Sequence, residues 1–183
     1  DDSFECYGGD VVCNNLISYL ATDDDFDYTQ GVQAVIANSV AIRNPFSSDR
    51  SGSRCFEIDS YDKKELCDTS KKITKVTANN ITLLNTEQNN QGLVREAIYI
   101  SDSCYFSLSN SVVDGFSFCT LLHKSIEKEP INIGKINLQN IQVNQSIDIV
   151  KSENEAFNKD LEKWYLHSKF ANFITSIKSK DLY

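Results

Sequence analysis

Apolar residues in this chain recur at every second position, but only over runs of three. Between Ile131 and Val150 four such triplets follow one another: Ile131/Ile133, Ile136/Leu138, Ile141/Val143 and Ile147/Ile149, with two or three polar residues between them. Alternation with a period of two marks a short strand with one buried face. The gaps are too short for a helix, and no Asn-Gly or Asp-Gly pair joins these triplets into hairpins. A chain that bends at each gap while keeping one face inward winds into a coil, and stacked coils form a β-solenoid.

Four longer segments share one layout. Val35 to Asn44, Val76 to Asn85, Phe106 to Gly115 and Ile136 to Asn144 each place apolar residues on either side of a central asparagine, at Asn38, Asn79, Asn110 and Asn140. Asparagine tolerates the left-handed conformation that a sharp corner needs. The pattern therefore predicts stacked corners, with a column of amides hydrogen-bonded from coil to coil. Ala97 to Ile100, Gly115 to Phe118 and Ser146 to Ile149 add further strands, with Tyr99, Ser117 and Asp148 outward. A coil of about 18 to 31 residues follows.

The last stretch changes period. Ser152-Glu153-Asn154-Glu155 reads as a capping box. Phe157, Leu161 and Trp164 then recur at helical spacing, and Leu166, Phe170, Phe173, Ile174 and Ile177 continue the stripe. A helix over about 153–179 would be roughly 40 Å long, longer than one coil is wide. Phe170, Phe173, Ile174 and Ile177 are therefore expected to contact a neighbouring subunit. The organisation expected is an N-terminal cap over 1–30, partly helical or irregular, β-helix coils over 31–150, and a C-terminal helix over 151–183 that serves as a cap or as a subunit contact.

On these triplets and recurring asparagines, the chain resembles the right-handed parallel β-helix of the pectin-lyase-like superfamily over about residues 31–150. The resemblance implies a mainly β solenoid with a C-terminal α-helix. For the enzymes of that superfamily it also implies clustered carboxylates and basic residues on one outer sheet. The chain departs from their signatures: Asn-Thr-Asp, Gly-His-Gly and Arg-Ile-Lys are absent, and the pair Asp24-Asp25 precedes the repeats. His123 falls in a loop, His167 in the terminal helix, and Asp148 is a lone acid at the centre of a triplet. Glycoside hydrolysis needs two carboxyls flanking the bond, so no catalytic residue is assigned.

The 183 residues suit one domain. With 26 acidic against 18 basic residues the net charge is −8, which argues against nucleic acid and anionic membranes as partners. No apolar run approaches the roughly 18 residues of a membrane span. Asp23, Asp25 and Asp27 fit the first three ligand positions of an EF-hand loop, but Tyr28 stands where glycine belongs and Ala34 where the bidentate Glu belongs. A solvated acidic loop is the expectation, with no metal and no cofactor.

Cys6, Cys13, Cys55, Cys67, Cys104 and Cys119 have no zinc spacing. An even count points to disulfides and an oxidising compartment. Bridges are expected at 104–119, 6–13 and 55–67. Sequons at Asn80-Ile81-Thr82 and Asn144-Gln145-Ser146 add candidate glycosylation sites. The chain opens Asp-Asp-Ser and contains no Met, as expected of a secreted protein after signal-peptide removal, or of a fragment.

The functional expectation is a non-enzymatic, extracellular structural glycoprotein. It would be a subunit of a filament, coat or matrix that associates with copies of itself, glycans being a further possible partner. The alternative is a carbohydrate-active enzyme or carbohydrate-binding module on the same scaffold, with Tyr99, Tyr105 and the acidic loop forming its groove.

Overall fold

The structure is a computed structural model. It describes residues 1–49, 52–60, 70, 72–87, 93–101, 104–126, 134–144, 146, 148–167, 169 and 171–176. Ile131, Ile133, Ile147, Cys67, Phe170 and Ile177 lie outside the described residues.

Alternation becomes strands, and every pairing between them is parallel. Sheet A stacks β1 (Phe4–Tyr7), β4 (Phe26–Thr29), β6 (Phe56–Ile58), β8 (Glu96–Ile100), β10 (Phe118–Leu122) and β12 (Asp148–Ser152) in that order. Sheet B stacks β2 (Asp10–Asn14), β5 (Gln33–Arg43), β7 (Lys75–Asn85), β9 (Tyr105–Asp114), β11 (Ile136–Asn144) and β13 (Ala171–Ser176), with β3 (Ile17–Tyr19) also paired to β5. The chain alternates between the sheets once per coil, as a parallel β-helix requires.

Each long strand of sheet B turns at one left-handed residue, Asn38, Asn80, Asn110 or Asn140, with φ between 51° and 56°. In register these four form one line. The expected corner at Asn79 is thus one residue early. Two asparagines stand side by side there, and the apolar pattern alone does not separate them. The line divides sheet B into two faces, so each coil has three sides. Gly115, at φ +87°, closes another bend: a Cβ there would lie 2.5 Å from the Asn85 carbonyl oxygen.

Inward positions make one core along the coils. Phe4, Phe26 and Phe56 stack on sheet A with centroids 5.7 and 5.0 Å apart, and Phe56 meets Phe106 across the interior. Ile136, Leu138, Ile141 and Val143 all point inward, as their alternation predicts. At about 25 cal/mol per Å² of apolar surface, these repeated layers are the main source of stability.

Residues 1–30 contribute β1 to β4 to the sheets instead of forming an irregular cap. The C-terminal helix is α1 (Glu155–His167), much shorter than expected. It buries Phe157 and Leu161 against the last coil. Its cap also differs from the predicted box. Ser152 Oγ accepts from the Asn154 N–H, and Asn158 Oδ1 accepts from the Ser152 N–H. Beyond α1 the chain returns to strand as β13, because the free edge of β11 offers hydrogen bonds and Ile174 and Thr175 are β-branched. Phe173 is half-buried and meets Tyr165 edge-on at 6.3 Å. Of the four expected subunit-contact residues, Ile174 is the described one that is largely exposed, at 55%.

Among the described residues no disulfide joins Cys6, Cys13, Cys55, Cys104 and Cys119, which corrects the expected bridges at 104–119 and 6–13; the expected 55–67 bridge involves Cys67, outside the described residues. Cys104 Sγ donates to the Ile58 carbonyl at 3.9 Å, and Cys119 Sγ accepts from Thr120 Oγ1 at 3.7 Å. Both lie inside the core, on inward positions of their own coils. Burial pushes the Cys119 thiol up to about 12.

Candidate functional site

The outer face of sheet A carries the densest chemistry. Register places Glu5, Asp27, Glu57, Tyr99, Leu121 and Lys151 in one column, one per coil. Parallel strands set such neighbours about 4.8 Å apart, so three carboxylates crowd at the N-terminal end. Burial pushes the Asp27 carboxyl up to about 8, helped by the charges of Asp59, Glu57, Asp2 and Glu5. Carboxylate oxygens of Asp2, Glu5 and Asp27, and separately of Asp2, Asp23 and Asp24, lie within 4.8 Å of one another. Hard divalent cations take such oxygen ligands.

The acidic loop does not stay in solvent, contrary to expectation. Asp24 is 4% exposed and Asp25 is 0%. Burial pushes Asp24 up to about 9, with a hydrogen bond and charge repulsion from Glu57 adding to it. Its Oδ1 accepts from the Arg54 backbone N–H. Asp25 points into the helix, where it pairs with Arg43 at 3.0 Å and accepts from Ser18 Oγ. Arg43 also donates to the carbonyl of Arg54 and to Ser48 Oγ. The three alternating aspartates of the EF-hand-like run therefore diverge.

Arg54 is the hub of this face. It pairs with Glu57 at 2.9 Å and Glu96 at 3.1 Å, and lies 4.1 Å above the Tyr99 ring. The Tyr99 hydroxyl donates to Glu153 at 3.1 Å. Glu153 also accepts from the Lys124 N–H and faces His123 at 3.8 Å. One network thus crosses four coils. Tyr99 is 8% exposed, so its ring is covered by Arg54. Tyr105 lies on sheet B, with Lys135 over its ring at 5.4 Å. The groove expected from Tyr99, Tyr105 and the acidic loop is not assembled: the loop and Tyr99 share a face, and Tyr105 does not.

Asp148 is exposed at the start of β12 and His167 at the end of α1, away from this network. Among the sequons, Asn80 is exposed at its corner and Asn144 is half-buried. Glu57 was legible as the outward member of Phe56-Glu57-Ile58. Arg54 and Glu96 were not, because they meet 42 positions apart in the chain and Glu96 opens a run that is buried throughout.

The family described as pectate-lyase-like β-helix domain matches residues 1–179 of this chain. No curated protein and no solved structure matches it.

Proposed function

Because the chain belongs to the pectate-lyase-like β-helix domain family, we propose that it is a non-enzymatic structural module of an extracellular filament, coat or matrix built from like copies. The observation that carries this reading is the commitment of Arg54. It is a basic residue beside the carboxylate column, and it is held by Glu57, Glu96 and the Tyr99 ring together. Lyase chemistry needs a base free to take a proton, whereas this guanidinium ties coils to one another. Glycan attachment to Asn80 or Asn144 belongs to the same proposal, and a mass decrease of the native protein after glycosidase treatment tests it. No helix among the described residues is long and apolar enough to cross a membrane.

A second reading, carbohydrate processing, is favoured by one observation. Burial pushes the Asp27 carboxyl up to about 8 beside Glu57, which pairs with Arg54 at 2.9 Å. Neighbouring carboxyls with environments that differ in this way are the arrangement of an acid and its counterpart base. Turnover assays on neutral and acidic polysaccharides decide between the readings. The structural reading expects no product above that of an Asp27→Asn/Glu57→Gln double variant. Product that the double variant abolishes establishes the second.

A further inference from the structure

The turn that follows β10 brings a hydroxyl, an imidazole and a carboxylate together. His123-Lys124-Ser125-Ile126 closes with the Ile126 N–H donating to the His123 carbonyl at 2.9 Å, and Ile126 is buried. The His123 N–H donates to the Ile100 carbonyl of the coil before, and the Glu153 N–H of the coil after donates to the Leu122 carbonyl. Backbone bonds between three successive coils therefore set the positions of these side chains. Ser125 Oγ lies 2.7 Å from His123 Nδ1, which also accepts from the Ser125 backbone N–H at 3.2 Å. A backbone N–H only donates, so Nδ1 carries a lone pair and the proton of the neutral ring sits on Nε2. Nε2 faces Glu153 Oε2 at 3.8 Å. Glu153 is itself held by the Tyr99 hydroxyl at 3.1 Å and the Lys124 N–H at 3.3 Å. A hydroxyl against the lone pair of a base, with the other ring nitrogen facing a carboxylate, is the arrangement that activates a serine. Solvent reaches it: Ser125 is exposed, and the His123 and Glu153 side chains are 29% and 35% exposed.

We propose that Ser125 is a nucleophile that takes the acyl group of a small, activated carboxylic ester and keeps it. Ser125 Oγ bonds to the ester carbonyl carbon while its proton passes to His123 Nδ1. The tetrahedral intermediate collapses, the bond to the leaving oxygen breaks, and that oxygen takes the proton from Nδ1. The products are an acyl-serine and an alcohol, with His123 neutral again and no further reactant consumed. Glu153 is a positioning residue, which holds the ring and favours the imidazolium that forms in passing. The acyl group stays because the donors of the turn are already in use. The N–H groups of Lys124, Ser125 and Ile126 donate to Glu153, His123 Nδ1 and the His123 carbonyl, which leaves none of them for an oxyanion. A missing oxyanion donor slows acyl transfer by about 10²–10³. An aryl ester, with its good leaving group, still reacts. Water attacking the acyl-serine must expel the poorer serine alkoxide, so release lags. The assembly reading above neither requires this step nor forbids it.

The probe is p-nitrophenyl acetate added to the full chain. About one equivalent of p-nitrophenolate should appear per chain, as a burst without sustained turnover, and peptide mass mapping should place an acetyl group on Ser125. Ser125→Ala, at an exposed position, should abolish the burst without shifting the melting temperature, and any acetylation of lysines should persist in it. His123→Gln should slow acetylation of Ser125 about a hundred-fold. Glu153→Gln should lower the limiting rate of acetylation by a smaller factor and leave the half-saturating ester concentration unchanged, a split that marks an interaction made in the transition state. A Ser125 that stays unacetylated overturns the proposal. So does a Ser125 that is acetylated equally fast in the His123→Gln variant. Multiple turnover that Ser125→Ala abolishes overturns the retained acyl group and, separately, the non-enzymatic reading above.

Discussion

Asn80 donates from Nδ2 to Oδ1 of Asn38 at 2.7 Å, across 42 residues of chain and one step of the coil stack. The column continues with Asn140 donating to Asn110 at 2.8 Å. Between them Asn110 donates to Asn79 instead of Asn80, also at 2.8 Å. Both asparagines of the 79–80 pair thus work: Asn80 takes the left-handed corner, and Asn79, at the end of the straight part of β7, accepts from the next coil.

Asn80 serves the backbone as well as the ladder, and two substitutions separate these roles. Asn80→Gly keeps the left-handed conformation and removes the amide, costing about 1 kcal/mol. Asn80→Ala adds the steric cost of that conformation, for a total of about 2–3 kcal/mol. Urea unfolding of both variants should give that order.

The raised carboxyls make a prediction about pH. Asp27 and Asp24 bind protons more tightly folded than unfolded, with folded values of about 8 and about 9. Their contribution to stability is fully present below the unfolded value of about 4 and is lost as pH rises through the folded values. Melting temperature should therefore decline between about pH 5 and pH 9, and Asp27→Asn should flatten the decline. An identical slope in wild type and variant would remove Asp27 from the account.

Arg43 and Asp25 are both fully buried. Arg43→Ala leaves the Asp25 carboxylate in the interior without its cation, at a cost of about 3–5 kcal/mol. In an Arg43→Met/Asp25→Leu double variant, no charge is left behind. Its loss of stability, measured by denaturant unfolding, should be well below the sum of the single losses.

Register on β11 is testable at neighbouring positions. Leu138 is fully buried, whereas Asn137 beside it faces outward. Leu138→Asp should abolish the cooperative thermal transition, since it buries an unpaired carboxylate. Asn137→Asp should melt within a few degrees of the wild type.

The coils were legible in the sequence because each buries its residues with period two, and Ile136, Leu138, Ile141 and Val143 show that locally. The corners were legible through asparagine, except where Asn79 and Asn80 stand together. The end of the chain was misread because Phe173 and Ile174 suit a helical stripe as well as a strand, and the free edge of β11 decided between them. The buried loop was misread for a related reason. Asp24 and Asp25 look solvated until Arg43 and Arg54 arrive from later in the chain. Side-chain networks between coils depend on stacking order, which alternation does not encode.

The central claim is that the charged network on sheet A holds coils together, and Arg54 tests it most directly. Active-site residues are commonly replaced with little loss of stability, or with a gain. A cohesive residue behaves in the opposite way. Urea unfolding of Arg54→Ala should show a loss of about 2 kcal/mol or more, because Glu96, 4% exposed at its side chain, loses its hydrogen-bonded cation and keeps only the longer pair with exposed Arg95 at 3.4 Å. Unchanged or increased stability would contradict the account and turn attention to Arg54, Asp27 and Glu57 as a site of chemistry.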